Sequence, residues 1–341
     1  MRELTVGKND AGQRLDKFLT KSVKGLPMSM MYKLIRTKKI KLNRKRAEPN
    51  VMLNEGDTLQ LFIREEFFDS PEKDTGALSS IVPKLDIVYE DENIILLNKR
   101  PGVLVHEDDE GKDNTLVMHL KAYLVSSGEY DPSSEQSFAP ALCNRIDRNT
   151  GGIVIAAKNA AALRDMNERI RSGQISKYYL CVVHGRMEKK EDRLTAYLLK
   201  NEKTNTVDIS PVPKKNYKEI ITGYRVLAYR DGRSLLEVRL YTGRTHQIRA
   251  HMAFIGHPLV GDGKYGINRE DRKDGYKYQA LYSYRLRFDF SEGGECLDYL
   301  AGREYSLQKS SVWFCGDFFD SRSDSAPDNK SKNEGNSLDE D

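Results

Sequence analysis

The sequence predicts an α+β protein with a mixed, mostly antiparallel sheet flanked by helices and preceded by a small basic unit. Three observations carry this reading. Two hairpin patterns pair neighbouring strands: Ile87-Val88-Tyr89 with Ile94–Leu97 across Asp91-Glu92-Asn93, and Gly223–Tyr229 with Ser234–Tyr241 across Asp231-Gly232. Apolar residues recur at helical spacing in 114–126 and in 160–172, where Leu163, Met166 and Ile170 lie three and four apart. Strands and helices then mix without a regular βαβ repeat, which argues against a parallel doubly wound sheet.

In chain order, residues 12–64 form the basic unit. Leu15, Phe18, Leu19 and Val23 mark one helix, and Met30, Met31, Leu34 and Ile35 mark a second. Short strands follow at 39–42 and 58–63, with a basic turn, Asn43-Arg44-Lys45-Arg46, and a second turn at Asn54-Glu55-Gly56-Asp57. Residues 65–82, rich in Asp, Ser, Pro, Gly and Thr, read as a linker. The large domain spans 83–316. Within it Ser176–Gly185 reads as a strand whose alternation places Tyr179 with Cys181 and Val183 on one face and Tyr178 on the other. Residues 317–341 form an acidic, disordered tail.

The 341 residues have room for two or three domains and a sizeable core. No apolar run approaches the roughly 18 residues that cross a bilayer, and the first residues lack the apolar core of a secretory signal. Cys143, Cys181, Cys296 and Cys315 are widely spaced, which suits reduced thiols in a cytoplasm and disfavours a zinc or disulfide framework. The net charge of +4 is uneven: residues 1–66 carry +7 and the tail −5, so the chain without its tail stands at +9. A basic body suggests a polyanionic partner.

Three segments carry candidate chemistry. The first is Asn144-Arg145-Ile146-Asp147-Arg148-Asn149-Thr150-Gly151-Gly152, before the apolar run Ile153–Ala157. Asp147 between two arginines stays ionised. By itself the segment fits either a solvated ion-paired turn or a working carboxylate at a loop-to-strand junction. The second is Thr242–Ala253, where Gly243 ends a strand, Thr245 is placed to cap, and a helix begins near His246. Arg244 beside that helix start suits an anion. Arg249, one turn on, suits a bidentate pair with a buried carboxylate. The segment alone leaves open a catalytic role on one side and a phosphate clamp or a solvated helix start on the other. The third, Gly256–Gly266, is glycine-rich but lacks the Gly-Lys-Ser/Thr ending of a P-loop, which excludes that mode of nucleotide binding. The histidines show no metal-ligand spacing, and His246 and His251 read as packing or RNA contacts.

Taken together and in order, these pieces resemble the RluA-type pseudouridine synthases. The family pattern His-Arg-Leu-Asp-x-x-Thr-Ser/Thr-Gly is similar to Asn144–Gly152, and Lys-x-Tyr-x-x-x-Val-x-Gly to Lys177–Gly185. Gly-Arg-x-His-Gln-Ile-Arg-x-His matches Gly243–His251, and Asp-Lys-Pro-x-Gly-Leu-x-Val-His looks like Asn98–His106. The likeness covers residues 83–290, and residues 12–64 resemble the alpha-L (ribosomal S-four type) RNA-binding domain. Three departures stand out: Asn144 for the family histidine, Gly151 for Ser/Thr, and a proline shifted by one to Pro101.

The resemblance implies the pseudouridine synthase fold and an isomerase that converts uridine to pseudouridine in RNA. Large-subunit rRNA is the preferred substrate, with tRNA the other candidate. No metal, nucleotide or organic cofactor is implied, and the enzyme is expected to be a cytoplasmic monomer that does not engage membranes. Asp147 becomes the catalytic carboxylate, Arg249 its orienting partner, and Tyr179 the ring against the uracil. Arg145 would fill the stack left by an extruded uridine. Arg244 and His246 would contact RNA, together with Arg36, Lys38, Lys39, Arg44, Lys45 and Arg46 of the basic unit. Two rivals remain: a catalytically inactive RNA-binding or ribosome-assembly protein, and a glycosidase-like enzyme. The second is disfavoured because no other acid accompanies Asp147 in these motifs, Glu107, Asp108 and Asp109 reading as a solvated loop.

Overall fold

The computed structural model describes residues 1–68, 75–106, 114–290, 293 and 296–319. The acidic loop Glu107–Asp109 and all of the tail after Phe319 lie outside the described residues.

The basic N-terminal unit comprises β1 (Arg2–Thr5), α1 (Leu15–Ser22), α2 (Met28–Arg36), β2 (Ile40–Leu42), β3 (Lys45–Arg46) and β4 (Thr58–Leu61). Its four strands form a sheet in the order β1-β4-β2-β3. The helical spacing read from sequence puts Leu15, Phe18, Leu19, Met31 and Ile35 into one core with Ile40, Leu59 and Leu61. Strand β1 begins ten residues ahead of the expected unit, pairing Arg2–Thr5 with Leu61–Thr58. Its four-residue alternation is mostly exposed, so it leaves no apolar signature.

The stretch expected to be a linker contains a 3-10 turn at Glu65–Phe67 and a short helix, α3 (Thr75–Ser80), whose Leu78 is buried. Beyond it come β5 (Ile87–Glu90), β6 (Ile94–Lys99), α4 (Leu116–Ser126), β7 (Ala141–Leu142), β8 (Gly151–Ala157), α5 (Ala160–Arg171) and β9 (Ile175–His184). There follow β10 (Glu191–Asn201), β11 (Thr206–Ser210), β12 (Lys218–Arg230), β13 (Arg233–Leu240), α6 (Gln247–Phe254), α7 (Asn268–Lys273), β14 (Leu281–Phe288), β15 (Glu304–Ser306) and α8 (Gly316–Phe319). Helix α8 crosses the expected start of the tail at residue 317.

Eleven strands make the main sheet, ordered β11-β10-β12-β13-β9-β14-β8-β6-β5, with β15 beside β14 and β7 beside β8. Both expected hairpins are present, β5–β6 and β12–β13. Only β8 and β14 run parallel among the paired strands described, so the sheet is mixed and mostly antiparallel. Strand alternation sorts the core into two faces. Tyr179, Cys181, Val183, Val154 and Ala156 share one cluster with α4 and with Ile248 and Met252 of α6. Tyr178, Leu180 and Val182 lie on the opposite face, as do Ile153 and Ile155, which pack with Ala162 and Met166 of α5. The continuous burial of β8 follows from its coverage on both sides.

Candidate active site

Strand β8 fixes the loop that carries Asp147. Gly152 has φ +111°, and a Cβ there would lie 2.1 Å from the Ser283 carbonyl oxygen, so only glycine permits this approach to β14. Upstream, Asn144 Oδ1 accepts from Ile155 N–H at 2.8 Å, and Cys143 N–H donates to the Ile155 carbonyl. The residue that departs from the family histidine thus clips the loop onto the flank of β8. Lys99, 1% exposed, points its ammonium at the carbonyls of Arg148 (2.9 Å), Val103 (2.9 Å) and Arg100 (3.2 Å). Three donors meet three acceptors, which binds the Asn98–His106 segment to the Asp147 loop. Burial pulls the Lys99 pKa down to about 7, opposed by the Asp147 charge.

Neither chain neighbour pairs with Asp147 among the described residues. Arg145 is exposed, and Arg148 reaches back to the Gly102 carbonyl. The partner is Arg249 of α6, whose Nη1 donates to Asp147 Oδ2 at 2.7 Å. The bidentate half of the guanidinium goes to another acid: Nε and Nη2 meet the two oxygens of Asp262 at 2.7 and 2.8 Å. Asp262 is fully buried and also accepts from the backbone N–H groups of Lys264 and Tyr265. Burial alone would raise its pKa; the Arg249 guanidinium and these N–H groups outweigh that and hold it low. Burial would likewise lower Arg249, but Asp262 and then Asp147 raise it. The glycine-rich loop that looked empty of chemistry therefore supplies the buried counter-ion of the site. A single acid between two glycines was its only trace in the sequence. Asp262 is also the second carboxylate that the motif reading lacked, yet it is sealed from solvent and saturated, so it cannot face a sugar across from Asp147.

Helix α6 starts differently from expectation. His246, not Thr245, takes the cap position, with φ 53° and no side-chain cap bond. Gln247 does the tethering: its Oε1 accepts from Arg244 N–H and the Thr242 hydroxyl, and its Nε2 donates to the Ile221 carbonyl and Thr222 Oγ1. The left-handed turn brings His246 Nε2 to 3.9 Å from Asp147 Oδ2 and Nδ1 to 2.8 Å from the Tyr265 hydroxyl. That hydroxyl also accepts from Val207 N–H, which fixes the Tyr265 oxygen against both groups. Burial lowers the His246 pKa against the pull of Asp147. His251 lies away from this chemistry, buried against Thr222.

Tyr179 lies in the core beneath the site, paired with Ser283 across β9 and β14 and close enough for the Asp147 charge to oppose its ionisation. Burial pushes its pKa up to about 12, so it stands as a neutral phenol. Asp147, Arg249 and His246 thus converge, with Tyr179 within electrostatic reach. Arg145 and Arg244 lie exposed nearby in sequence. Arg36, Lys38, Lys39, Arg44, Lys45 and Arg46 form an exposed basic edge on the separate N-terminal unit. All four cysteines are free thiols, and no His/Cys/Asp/Glu group among the described residues could hold a metal. No helix described is long and apolar enough to cross a membrane.

Comparison with known proteins meets this geometry from another side. A family profile described as RNA pseudouridylate synthase matches residues 93–254, and the S4 domain profile matches residues 13–59. The ribosomal large subunit pseudouridine synthase C of Vibrio parahaemolyticus is 31% identical over 88% of this chain and 92% of its own length. An uncharacterised RNA pseudouridine synthase of Mycoplasma capricolum is 32% identical over 88% of this chain and 95% of its own. Among solved structures, human RNA pseudouridylate synthase domain containing 1 aligns with a TM-score of 0.51 at 25% identity, covering 67% of this chain and 92% of that one.

Proposed function

Since the chain belongs to the RNA pseudouridylate synthase family, we propose that it isomerises specific uridines of large-subunit rRNA, with Asp147 as the working carboxylate. One observation carries the assignment. Asp147 is anchored through Oδ2 to Arg249, while Oδ1 takes no hydrogen bond among the described residues and the side chain keeps 26% exposure. An oriented, partly open carboxylate with one free oxygen is what attack on a sugar carbon, or removal of a sugar proton, requires.

The reaction breaks the N1–C1′ bond, turns the uracil and joins C5 to C1′; the C5 proton leaves and N1 gains one, so no atom is added or lost overall. Asp147 serves either as the nucleophile at C1′ or as the base at C2′. Arg249 and His246 steady its charge from one side. Tyr179 offers a ring surface to the uracil and, as a neutral phenol, a donor rather than a free base. Reaching a paired uridine requires unstacking it, and Arg145, which is exposed, would occupy the gap. The exposed cations from Arg36 to Arg46 supply phosphate contacts that add affinity without sequence choice.

The test is tritium release. Large-subunit rRNA labelled at uridine C5 should lose label to water with the wild-type chain, and Asp147→Asn should abolish the release while still binding the RNA. Binding without release by the wild type would instead establish the inactive RNA-binding reading.

A further inference from the structure

The face of the sheet opposite Asp147 carries a feature that the catalytic site does not use. Strand register places Arg193 of β10 beside Gly223 of β12, Gly223 beside Arg239 of β13, Arg239 beside Tyr178 of β9, and Tyr178 beside Arg285 of β14. These residues form one row across five strands, roughly 19 Å at the usual strand spacing. Gly223 leaves a notch in the row, and Tyr241 leans over it: a Cβ on Gly223 would meet the Tyr241 ring at 3.1 Å.

The side chains stack in alternation. The Arg193 and Arg239 guanidinium carbons lie 4.3 and 4.7 Å from the Tyr241 ring centre, and Arg285 lies 4.0 Å from that of Tyr178. Tyr241 is 41% exposed, and a cavity of about 420 Å³ opens over Arg193, Gly223, Arg239, Tyr241 and Tyr178. The carboxylates at its edge are largely engaged. Glu237 meets Tyr284, Arg225, Arg285 and Lys309, and Asp192 meets Lys189, which leaves Glu191 at the rim. Arg193 forms no ion pair among the described residues; Arg239 donates through Nη2 to the Ser176 hydroxyl at 3.0 Å and its charge helps hold the Asp289 carboxyl low, while the Nε atoms of Arg239 and Arg285 are buried with no acceptor. Guanidiniums stacked on tyrosine rings are held planar, a geometry that suits phosphate, and an unmatched buried donor leaves hydrogen-bonding capacity unused.

We propose that this outer face is a second RNA-binding surface, taking the phosphodiester backbone of a substrate segment distant from the target uridine across Arg193, Arg239 and Tyr241. The inference rests on the reading that the chain acts on RNA. It deepens that reading by requiring a substrate long enough to reach around the sheet. A short stem-loop would fill the cleft alone, whereas a large folded RNA would engage both faces.

The test compares the full-length wild type with Arg193→Gln/Arg239→Gln, measuring affinity for deproteinised large-subunit rRNA between about 50 and 200 mM salt. Removing two phosphate contacts should make the log–log salt slope shallower by about 1.5 and weaken binding at the low-salt end about ten-fold. The Arg193→Lys/Arg239→Lys pair keeps the charge and should keep the slope, which separates lost contacts from a misfolded variant. A short stem-loop should bind wild type and Gln variant alike. An unchanged slope for the Gln variant overturns the proposal. So does a variant that binds rRNA normally but loses an acidic peptide that the wild type retains, since the face would then serve a protein. If the wild type releases no tritium yet the slopes differ as stated, the catalytic reading fails and this surface stands.

Discussion

Arg249 joins the open chemistry of Asp147 to the sealed charge of Asp262, so its substitution tests both at once. Lysine keeps the charge but not the fork, and Asp262, with no solvent exposure, loses its bidentate partner. Arg249→Lys should lower stability by about 3–5 kcal/mol, read as a fall in the urea midpoint at unchanged slope, and should also suppress isomerisation. A stable but inactive variant would show that the Asp262 pair contributes little to the fold. His251 gives a separate prediction in pH. Burial pushes its pKa down to about 4 from an ordinary 6.5, so between those values the unfolded chain binds the extra proton and stability falls as the solution is acidified. The loss across the window should reach about 3 kcal/mol. His251→Gln removes that component, so its urea midpoint should approach the wild-type value between pH 7 and pH 4; a constant gap would contradict the assignment.

At the scale of elements, the site depends on where β8 meets β14. Gly152→Ala forces a Cβ into the Ser283 backbone at a positive φ, where neither strand can yield without losing its pairing. The expected cost exceeds about 4 kcal/mol, so the variant should melt far below wild type or fail to express in folded form. The elements themselves were largely legible. Both hairpins, α4 and α5 followed from periodicity, and the alternation of β9 placed Tyr179 and Tyr178 on opposite faces correctly. What escaped has physical reasons. Strand β1 is short and exposed, and β10 and β11 alternate polar residues on a sheet edge with little apolar contrast. Asp262 and Gln247 gain their roles from partners outside their own segments, Arg249 in one case and β12 in the other. Local spacing cannot report such pairings, whereas Asp147 was visible because its turn, glycines and strand are contiguous.

For the whole molecule, the N-terminal unit owns a core separate from those of the main sheet and touches it through polar contacts. Gln13 Nε2 donates to the Ser137 hydroxyl at 2.7 Å, and Asn9 Oδ1 accepts from Ala160 N–H at 3.1 Å. Few apolar groups would be uncovered by removing it. A chain beginning at residue 69 should therefore keep a cooperative melt but bind large-subunit rRNA with a shallower salt dependence, having lost the cations from Arg36 to Arg46. Loss of the melt would show that the two units fold together. Whether Asp147 drives isomerisation of uridine in this RNA is decided by mapping pseudouridine in cellular RNA with and without the gene, and after complementation with wild type or Asp147→Ala. One or more large-subunit rRNA sites should vanish on deletion and return only with the wild type. Sites that all persist on deletion, or that Asp147→Ala restores in full, would contradict that role for Asp147.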